Sequence, residues 1–434
     1  MSCQHYQHSE AGARTFTVAM PKLTFGRGAL GEVGVRVANR GFRNAALFTD
    51  DHLRKTPYFE TLCEGLKSAG VAWDTFSDIR IEPDDATVQN AARFISETGP
   101  DVVISLGGGS VIDTAKAASV YARYPAPVNE YFAPPVGPGT PVPGPLLPHF
   151  ACPTTSGTGS ECTSVSVIRI NALDTKFVLG SPHLLPMEAI VDPTTCETLP
   201  PMAVASCGFD LLCHALECLT ARAYTTWEHV DDPTRRPLLQ GSNPWSDLAA
   251  RKALEIAGNY LVRGVNDAAD AEARDNLMWG ATLAGMAFGN SGTHLPHAMS
   301  YGITNLMADV TTRDYTPPSP FVPHGISVAV TAPAALRYLA ESAPARHLEA
   351  ATLLGATHTD AAPAETGEVI ASRVIELMKT TDVPNGLADI GFDAGDAKAL
   401  AVSAARQTRA IANAPRIADV SAMENIYTDA LSYW

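Results

Sequence analysis

One carboxylate and three imidazoles in this sequence have the residue types and spacing of a site for one divalent metal ion. Asp210 and His214 lie four residues apart in residues 209–223, a Leu- and Ala-rich stretch without proline or glycine that predicts a helix, so both share one helix face. His297, in PHAMSYG, and His324, in VPHG, complete the candidate set. Mixed imidazole and carboxylate ligands favour Fe(II) or zinc over calcium or magnesium. Taken alone, an Asp-x-x-x-His pair is more often a surface or capping pair than a metal site, and each further histidine is an equally weak indication.

A glycine-rich turn in the first half of the chain has the pattern of a phosphate-binding site. In DVVISLGGGSVIDTAK, residues 101–116, a predicted strand runs into three glycines and Ser110, and a predicted helix follows. Glycines let the backbone approach a diphosphate, and the helix N-terminus offers unpaired N–H groups and partial positive charge. The segment is therefore predicted to bind nucleotide phosphates, although a plain tight turn would have the same composition.

Two further segments fit a nucleotide pocket. Asp50 follows a predicted strand in ALFTDDHL, where a carboxylate accepts hydrogen bonds from ribose hydroxyls and repels a 2′-phosphate, so NAD is favoured over NADP. The turn HFACPTTSGTGSE, residues 149–161, offers Thr155 and Thr158 to a phosphate or to the nicotinamide amide. A hydroxyl-rich turn of this kind is also common as a purely structural element.

The elements that must position these residues change in type near residue 200. Before it, short β-branched stretches alternate with helical ones, and this order predicts βαβ units with a parallel sheet. The predicted strands are Ala45–Thr49, Val71–Phe76, Val102–Leu106 and Ala189–Val191. After it, long helical patterns dominate. The sequence therefore predicts an α/β dinucleotide-binding domain, residues 1–200, and an all-helical metal-binding domain, residues 201–434.

Composition limits the classes of partner. The chain has 31 basic and 46 acidic residues, a formal net charge of −15, and no basic run, which argues against nucleic acid and anionic membranes as partners. No stretch is expected to span a membrane, and the start of the chain lacks the pattern of a secretion signal. Eight cysteines without a C-x-x-C pair are predicted to be reduced, so a cytoplasmic protein is expected. A homodimer is the expected assembly for this size and class.

Two proline-rich stretches, residues 125–148 and 316–323, interrupt the pattern of strands and helices. Both are too rich in proline for a helix or a central strand, and both adjoin candidate site residues. They are interpreted either as walls of a cleft or as surface excursions without a role.

The motifs in their order resemble the iron-containing alcohol dehydrogenase family across essentially the whole chain. They are GGGSVIDTAK, PTTSGTGSE, IVDP, GFDLLCHALE, HAMSYG and PHG. Within the family, the segments QGSNPWSD, FGNSGTHLPHAMSYGI and PHGISVAVTAPA are most similar to the hydroxyacid-oxoacid transhydrogenase branch. The resemblance implies a dehydroquinate synthase-like architecture and hydride transfer between a nicotinamide and a small hydroxy acid, alcohol or oxoacid. For that branch, 4-hydroxybutyrate and 2-oxoglutarate are the expected substrate pair.

The resemblance also implies roles for individual residues. It assigns the metal to Asp210, His214, His297 and His324. It implies cofactor contacts at Asp50, Gly108, Gly109, Ser110, Asp113, Thr155, Thr158 and Lys176. Many family members have a second histidine four residues after the third ligand, often proposed as a proton relay, and this chain has Tyr301 there, as in the transhydrogenase branch. Catalytic roles are expected for Tyr301 and for His294, which is otherwise a packed or solvent-facing histidine.

Four protein ligands leave positions open on a five- or six-coordinate Fe(II) but fill a tetrahedral zinc, so the expected cofactors are Fe(II) and NAD. Zinc with an expanded coordination sphere is the alternative metal.

Three other functions stay open. They are an NAD(P)H-dependent reductase of another aldehyde or oxoacid, a non-redox lyase related to dehydroquinate synthase, and a nucleotide-binding protein without catalysis. The lyase is disfavoured because its fold is typically marked by a ligand set that includes a glutamate.

Overall fold

The computed structural model contains two compact units. One is an α/β unit of residues 19–197, and the other is a helical unit that combines residues 1–18 with residues 198–434. The residues described are 5, 7, 9–173, 175–306, 314, 321–358 and 360–434. Most of the proline-rich stretch at residues 316–323 lies outside the described residues, and its predicted part in a cleft is not addressed by the structure.

A six-stranded sheet forms the centre of the α/β unit. Its strands are β1 (Lys22–Phe25), β2 (Asn44–Phe48), β3 (Ala72–Phe76), β4 (Val102–Gly107), β5 (His149–Pro153) and β8 (Glu188–Val191). They pair in the order β1-β8-β5-β4-β2-β3, and every pair is parallel, so the predicted parallel sheet is confirmed. Two more strands, β6 (Val165–Ile170) and β7 (Thr175–Gly180), form a separate antiparallel pair.

Helices cover both faces of this sheet. They are α1 (Val33–Asn39), α2 (Pro57–Ser68), α3 (Asp85–Thr98) and α4 (Gly109–Arg123). Because successive residues of a strand point to opposite faces, Ala46 and Phe48 of β2 join a core with α3 and α4, whereas Ala45 and Leu47 join a second core with α1 and α2. Because β2, β4 and β5 are adjacent and parallel, their carboxyl ends lie at one edge of the sheet. Ligands of α/β proteins bind at this edge.

The helical unit is built around one long apolar helix. Its helices are α5 (Pro201–Thr220), α6 (Pro244–Asn266), α7 (Ala271–Ser291), α8 (Leu295–Asn305), α9 (His324–Ala329), α10 (Ala332–Ala340), α11 (Pro344–Leu353), α12 (Thr366–Thr380), α13 (Ala397–Ala404), α14 (Thr408–Asn413) and α15 (Val420–Asp429). Contrary to the expectation from the sequence, α5 is long and apolar enough to cross a membrane by length and composition. Its most apolar window is 89% buried inside the protein and α6, α7 and α9 pack against it, as is typical of a core helix.

The first eighteen residues correct the predicted domain boundary, because they belong to the helical unit and not to the α/β unit. His5 Nε2 lies 2.8 Å from Asp247 Oδ2. Nearer the α/β unit in sequence, Thr17 N donates to Gln240 Oε1 at 3.0 Å. These contacts join residues more than two hundred positions apart, so they leave no local pattern in the sequence from which the pairing could be predicted.

Candidate functional site

In the helical unit, the three predicted histidine ligands surround one carboxylate oxygen of the fourth, Asp210. Asp210 and His214 lie on α5, His297 on α8, and His324 is the first residue of α9. Asp210 Oδ1 lies 3.5 Å from His214 Nδ1, 3.3 Å from His297 Nε2 and 3.6 Å from His324 Nε2. One ligand atom from each of Asp210, His297 and His324 lies within 4.8 Å of the others. The structure therefore brings the whole predicted set together.

A glycine allows α9 to lie close enough to α5 for this convergence. Pro323 immediately precedes α9, so the helix starts at His324. A Cβ at Gly325 would lie 1.8 Å from the backbone oxygen of Ser206 and 3.1 Å from Asp210 Cβ, both on α5. Because any side chain at residue 325 would force the helices apart, glycine there places His324 beside Asp210.

The His214 imidazole is stacked between two rings, and one of its nitrogens has no hydrogen-bond partner among the described residues. Its ring stacks between Phe288 of α7, at a centroid distance of 4.1 Å, and His297, at 4.3 Å. His214 Nδ1 is buried and has no hydrogen-bond partner among the described residues. A buried polar atom without a partner is costly, and a cation shared with Asp210 would satisfy it. The donor set thus fits a divalent metal by its chemistry and by this orphaned nitrogen.

Glu217 is a functional candidate that the sequence reasoning missed. It is fully buried on α5, and its Oε1 lies 2.7 Å from His297 Nδ1 and accepts from His297 N at 3.1 Å. A carboxylate bonded to Nδ1 leaves Nε2 as the ligand nitrogen and fixes the ring, as around many protein metal sites. The signal was present, because residues 210, 214 and 217 follow the i, i+4, i+7 spacing of one helix face.

The electrostatics of the cluster are those of a cation site. Burial by itself raises the pKa of Asp210, but the neighbouring charges of His214 and His324 and the hydrogen bond from His297 hold it below its usual range. Burial lowers the pKa of His297, but Glu217 and Asp210 outweigh burial and raise it to about 10. Two buried carboxylates therefore stabilise positive charge between them. The His324 side chain is 37% exposed whereas that of Asp210 is 5% exposed, so the cluster opens to solvent beside His324.

The two residues predicted to be catalytic, Tyr301 and His294, lie in different environments. Tyr301 lies one turn beyond His297 on α8, half-buried, with its ring centroid 6.5 Å from that of His324. His294 is instead the N-cap of α8 and is completely buried: its Nδ1 accepts from Leu295 N at 2.8 Å and its Nε2 lies 2.9 Å from Thr220 Oγ1. Because both ring nitrogens are used inside the protein, the predicted catalytic role of His294 is replaced by a capping role.

In the α/β unit, the glycine-rich turn joins β4 to α4 as predicted. Gly108 is the N-cap of α4, and a Cβ there would lie 3.1 Å from Thr155 Cγ2. A Cβ at Gly109 would lie 2.9 Å from Thr158 Cγ2. The two predicted cofactor segments are therefore neighbours at the carboxyl ends of β4 and β5. Thr155 Oγ1 is buried and has no partner among the described residues, so this turn retains an unused hydroxyl next to the N-terminus of a helix.

Asp50 and Ser110 lie at the same edge of the sheet. Asp50 follows β2, the strand beside β4, and its Oδ1 accepts from His52 N at 2.9 Å and from Leu53 N at 2.8 Å. These bonds hold the carboxylate at the end of the strand. Ser110, in the first turn of α4, accepts from Glu82 N at 3.2 Å.

Two predicted cofactor contacts have structural roles instead. Asp113 is buried, its Oδ2 accepts from Val167 N at 2.8 Å, and its Oδ1 accepts from Ser160 Oγ. Lys176, in β7, forms a buried ion pair with Glu82. Since both Asp113 oxygens and the Lys176 ammonium are engaged inside the unit, we assign them to packing rather than to the cofactor.

Lys116, in the glycine-rich motif of residues 101–116, was not predicted to have a role. Its buried Nζ donates to the backbone oxygens of Ser160 at 2.6 Å, Thr163 at 2.8 Å and Val165 at 2.9 Å. Burial lowers the pKa of Lys116 to about 8. Five residues after Val111, Lys116 thus ties α4 to the segment that follows the threonine-rich turn.

Comparisons with known proteins match both units. The family model "Iron-containing alcohol dehydrogenase" matches residues 21–193, and the model "Fe-containing alcohol dehydrogenase family, C-terminal" matches residues 238–431. The mitochondrial hydroxyacid-oxoacid transhydrogenase of Homo sapiens is 38% identical over 402 residues, which cover 92% of this chain and 86% of the human protein.

Solved structures share the fold. A 1,3-propanediol oxidoreductase superposes with a TM-score of 0.84 at 26% identity, over 96% of this chain and 100% of that chain. The sulfoacetaldehyde reductase of Bifidobacterium kashiwanohense, solved in complex with NAD+, superposes with a TM-score of 0.79 at 24% identity, over 97% of this chain and 100% of that chain. At this identity, the second likeness concerns the fold alone.

The comparisons correct the expected location. The human transhydrogenase and the other transhydrogenases that match this chain are described as mitochondrial, which contradicts the prediction of a cytoplasmic protein. The cysteines were the basis of that prediction. Reduced thiols argue against an oxidising compartment, but they do not distinguish one reducing compartment from another.

Proposed function

The chain belongs to the iron-containing alcohol dehydrogenase family, and on this premise we propose that it acts as a hydroxyacid-oxoacid transhydrogenase. The predicted family and the predicted enzyme class, an alcohol dehydrogenase-type oxidoreductase, are confirmed by the two family matches. The transhydrogenase proposal is supported mainly by the buried carboxylate of Asp210, with His214, His297 and His324 around it. The chain is also 38% identical to a transhydrogenase over most of its length.

We propose that these four side chains hold Fe(II). Four ligands fill a tetrahedral zinc, whereas Fe(II) keeps positions open for a substrate, so Fe(II) suits this donor set better. A divalent cation there would supply Lewis acidity toward the hydroxyl or carbonyl oxygen of the substrate. Glu217 keeps the His297 ring oriented through its bond to Nδ1. Tyr301, beside the exposed edge of His324, is positioned to donate a hydrogen bond to that oxygen.

In the α/β unit, we propose that Gly108, Gly109 and Ser110 receive the diphosphate of NAD at the N-terminus of α4. Thr155 and Thr158 add hydroxyl groups beside the same turn. Asp50 accepts hydrogen bonds from the ribose and disfavours a 2′-phosphate. The nicotinamide would supply the hydride acceptor, and a transhydrogenase keeps it bound between the two half-reactions.

The test is transfer of hydride between two acids without added nucleotide. Purified protein loaded with Fe(II) is mixed with 4-hydroxybutyrate and 2-oxoglutarate, and 2-hydroxyglutarate is measured. One hydroxy acid is oxidised while one oxoacid is reduced, so product should form without release of NADH. His297→Ala should abolish both bound metal and product, whereas His229→Ala, which replaces an exposed histidine of the same unit, should leave both unchanged.

A second candidate function is the reduction of another aldehyde or oxoacid with free NADH. The structural similarity to the 1,3-propanediol oxidoreductase supports this reductase function as an alternative. NADH oxidation with aldehydes, together with no 2-hydroxyglutarate from the acid pair, would support this reductase and contradict the transhydrogenase. The non-redox lyase is not retained, because both units match dehydrogenase models.

A further inference from the structure

Arg409, in the helical unit, is a cation without a hydrogen-bond or ion-pair partner among the described residues. It lies in α14, and none of the described residues gives it a hydrogen bond or an ion pair. Arg346 of the same unit, in contrast, donates to Asp247 Oδ1 at 2.6 Å. The Arg409 side chain is solvent-exposed, yet the surrounding protein lowers its pKa by desolvation, with no nearby carboxylate to oppose the shift. Arg409 is therefore a charged side chain that the described residues leave unengaged.

Hydrogen bonds define how the chain around Arg409 runs along α8. Asn413, at the end of α14, donates through Nδ2 to the backbone oxygens of Ser291 and Thr293, both at 3.1 Å, just before α8 begins. Asn305, the last residue of α8, donates to Ser403 Oγ at 3.1 Å. The segment from residue 403 to residue 413 therefore returns from the end of α8 to its beginning, and α14 packs against α8.

This register places Arg409 beside the middle of α8. Arg409 lies four residues before Asn413, which is about 6 Å along a helix, and the same distance along α8 from Thr293 reaches the turn of His297. Tyr301 follows one turn later. Residue 409 is thus level with the part of α8 that carries a proposed metal ligand and the proposed substrate contact.

The charges around the metal cluster call for such a cation. Asp210 and Glu217 are buried carboxylates within the cluster, and the whole chain has a net charge of −15. When a divalent cation is bound, these two carboxylates offset its charge, so a substrate carboxylate gains from a further cation nearby. Arginine suits this task because its planar guanidinium can donate two parallel hydrogen bonds to one carboxylate.

We propose that Arg409 binds the carboxylate of the substrate and so selects hydroxy acids and oxoacids over uncharged alcohols and aldehydes. This inference rests on the proposed function. It names the side chain that would determine which class of substrate the proposed transhydrogenase accepts. It also explains why a dehydrogenase fold shared with a 1,3-propanediol oxidoreductase would favour acids in this chain.

The experiment compares two donors with the same four-carbon chain, 4-hydroxybutyrate and 1,4-butanediol. Reduction of the bound nicotinamide is followed by absorbance, and the half-saturating donor concentration is measured for wild type, Arg409→Met and Arg409→Lys. Arg409→Met should raise this concentration for the acid by roughly 10- to 100-fold, the value of a charge-assisted hydrogen bond, and leave the diol unchanged. Arg409→Lys keeps the charge but loses the paired hydrogen bonds, so it should be intermediate.

Three outcomes would overturn the inference. Equal changes for acid and diol in Arg409→Met would mean that Arg409 only supports the packing of α14, and an unchanged acid value would mean that it does not touch the substrate. Wild type that oxidises the diol but not the acid would refute the proposed function itself.

Arg235→Met replaces an exposed arginine of the same unit and controls for the loss of one positive charge; it should affect neither donor. Arg409→Gln gives the same readout if the methionine variant is unstable.

Discussion

Replacing Gly325 with alanine should remove the metal site while most of the fold remains. The new Cβ would lie 1.8 Å from the backbone oxygen of Ser206, whereas a carbon and an oxygen need about 3.3 Å. Helix α9 must therefore move from α5 by roughly 1.5 Å at this contact. Metal–ligand distances tolerate only about 0.2 Å, so a shift of this size takes His324 out of the ligand set. The overpacking itself should cost about 1–3 kcal/mol of unfolding free energy.

The assay is metal content by elemental analysis, with thermal unfolding followed by circular dichroism. Gly31→Ala is the matched control, because the nearest heavy atom to its new Cβ would be Thr61 Cγ2 at 3.9 Å. This variant should keep wild-type metal content and stability. Full metal occupancy in Gly325→Ala would refute the reasoning that the close approach of α9 to α5 positions His324.

Two further substitutions test the positioning of the metal and of the cofactor. Glu217→Gln should weaken metal binding by roughly 10- to 100-fold in a chelator competition, because the amide cannot accept from His297 and His294 at both of its ends. Asp247→Asn, another buried carboxylate, should lose stability but not metal affinity, and equal metal loss in both variants would contradict a specific role for Glu217. Asp50→Ala should shift the ratio of NAD to NADP affinity toward NADP by roughly tenfold or more; an unchanged ratio would exclude Asp50 as the ribose contact.

The proximity of the candidate metal ligands could be predicted as far as local periodicity reaches. Asp210 and His214 could be paired from sequence because helix geometry alone places residues four apart on one face. The same rule would have found Glu217, which is three residues beyond His214. His297 and His324 were added as candidates by residue type, and the family resemblance implied that they share the site, since no local rule relates residues on separate helices.

The residues predicted to bind the cofactor show where a motif alone misleads. Gly108 and Gly109 were recognised because a strand, a glycine turn and a helix follow each other directly in the chain. Asp113 and Lys176 belong to equally recognisable segments, yet their charged groups are used by Ser160, Val167 and Glu82. Which way a buried side chain points, and which partner it meets, depends on packing that a linear pattern does not contain.

The sequence by itself determined the order of elements, the parallel α/β unit, the helical unit and the candidate ligands, because hydrophobic periodicity, glycine turns and helix spacing are short-range properties. Only the tertiary structure decided that His294 caps a helix, that residues 1–18 belong to the helical unit, and that Gly325 sets the distance between α5 and α9. These outcomes depend on contacts between distant segments. Their physical basis is the close packing of the interior, where a single Cβ or hydrogen-bond partner decides the position of a helix.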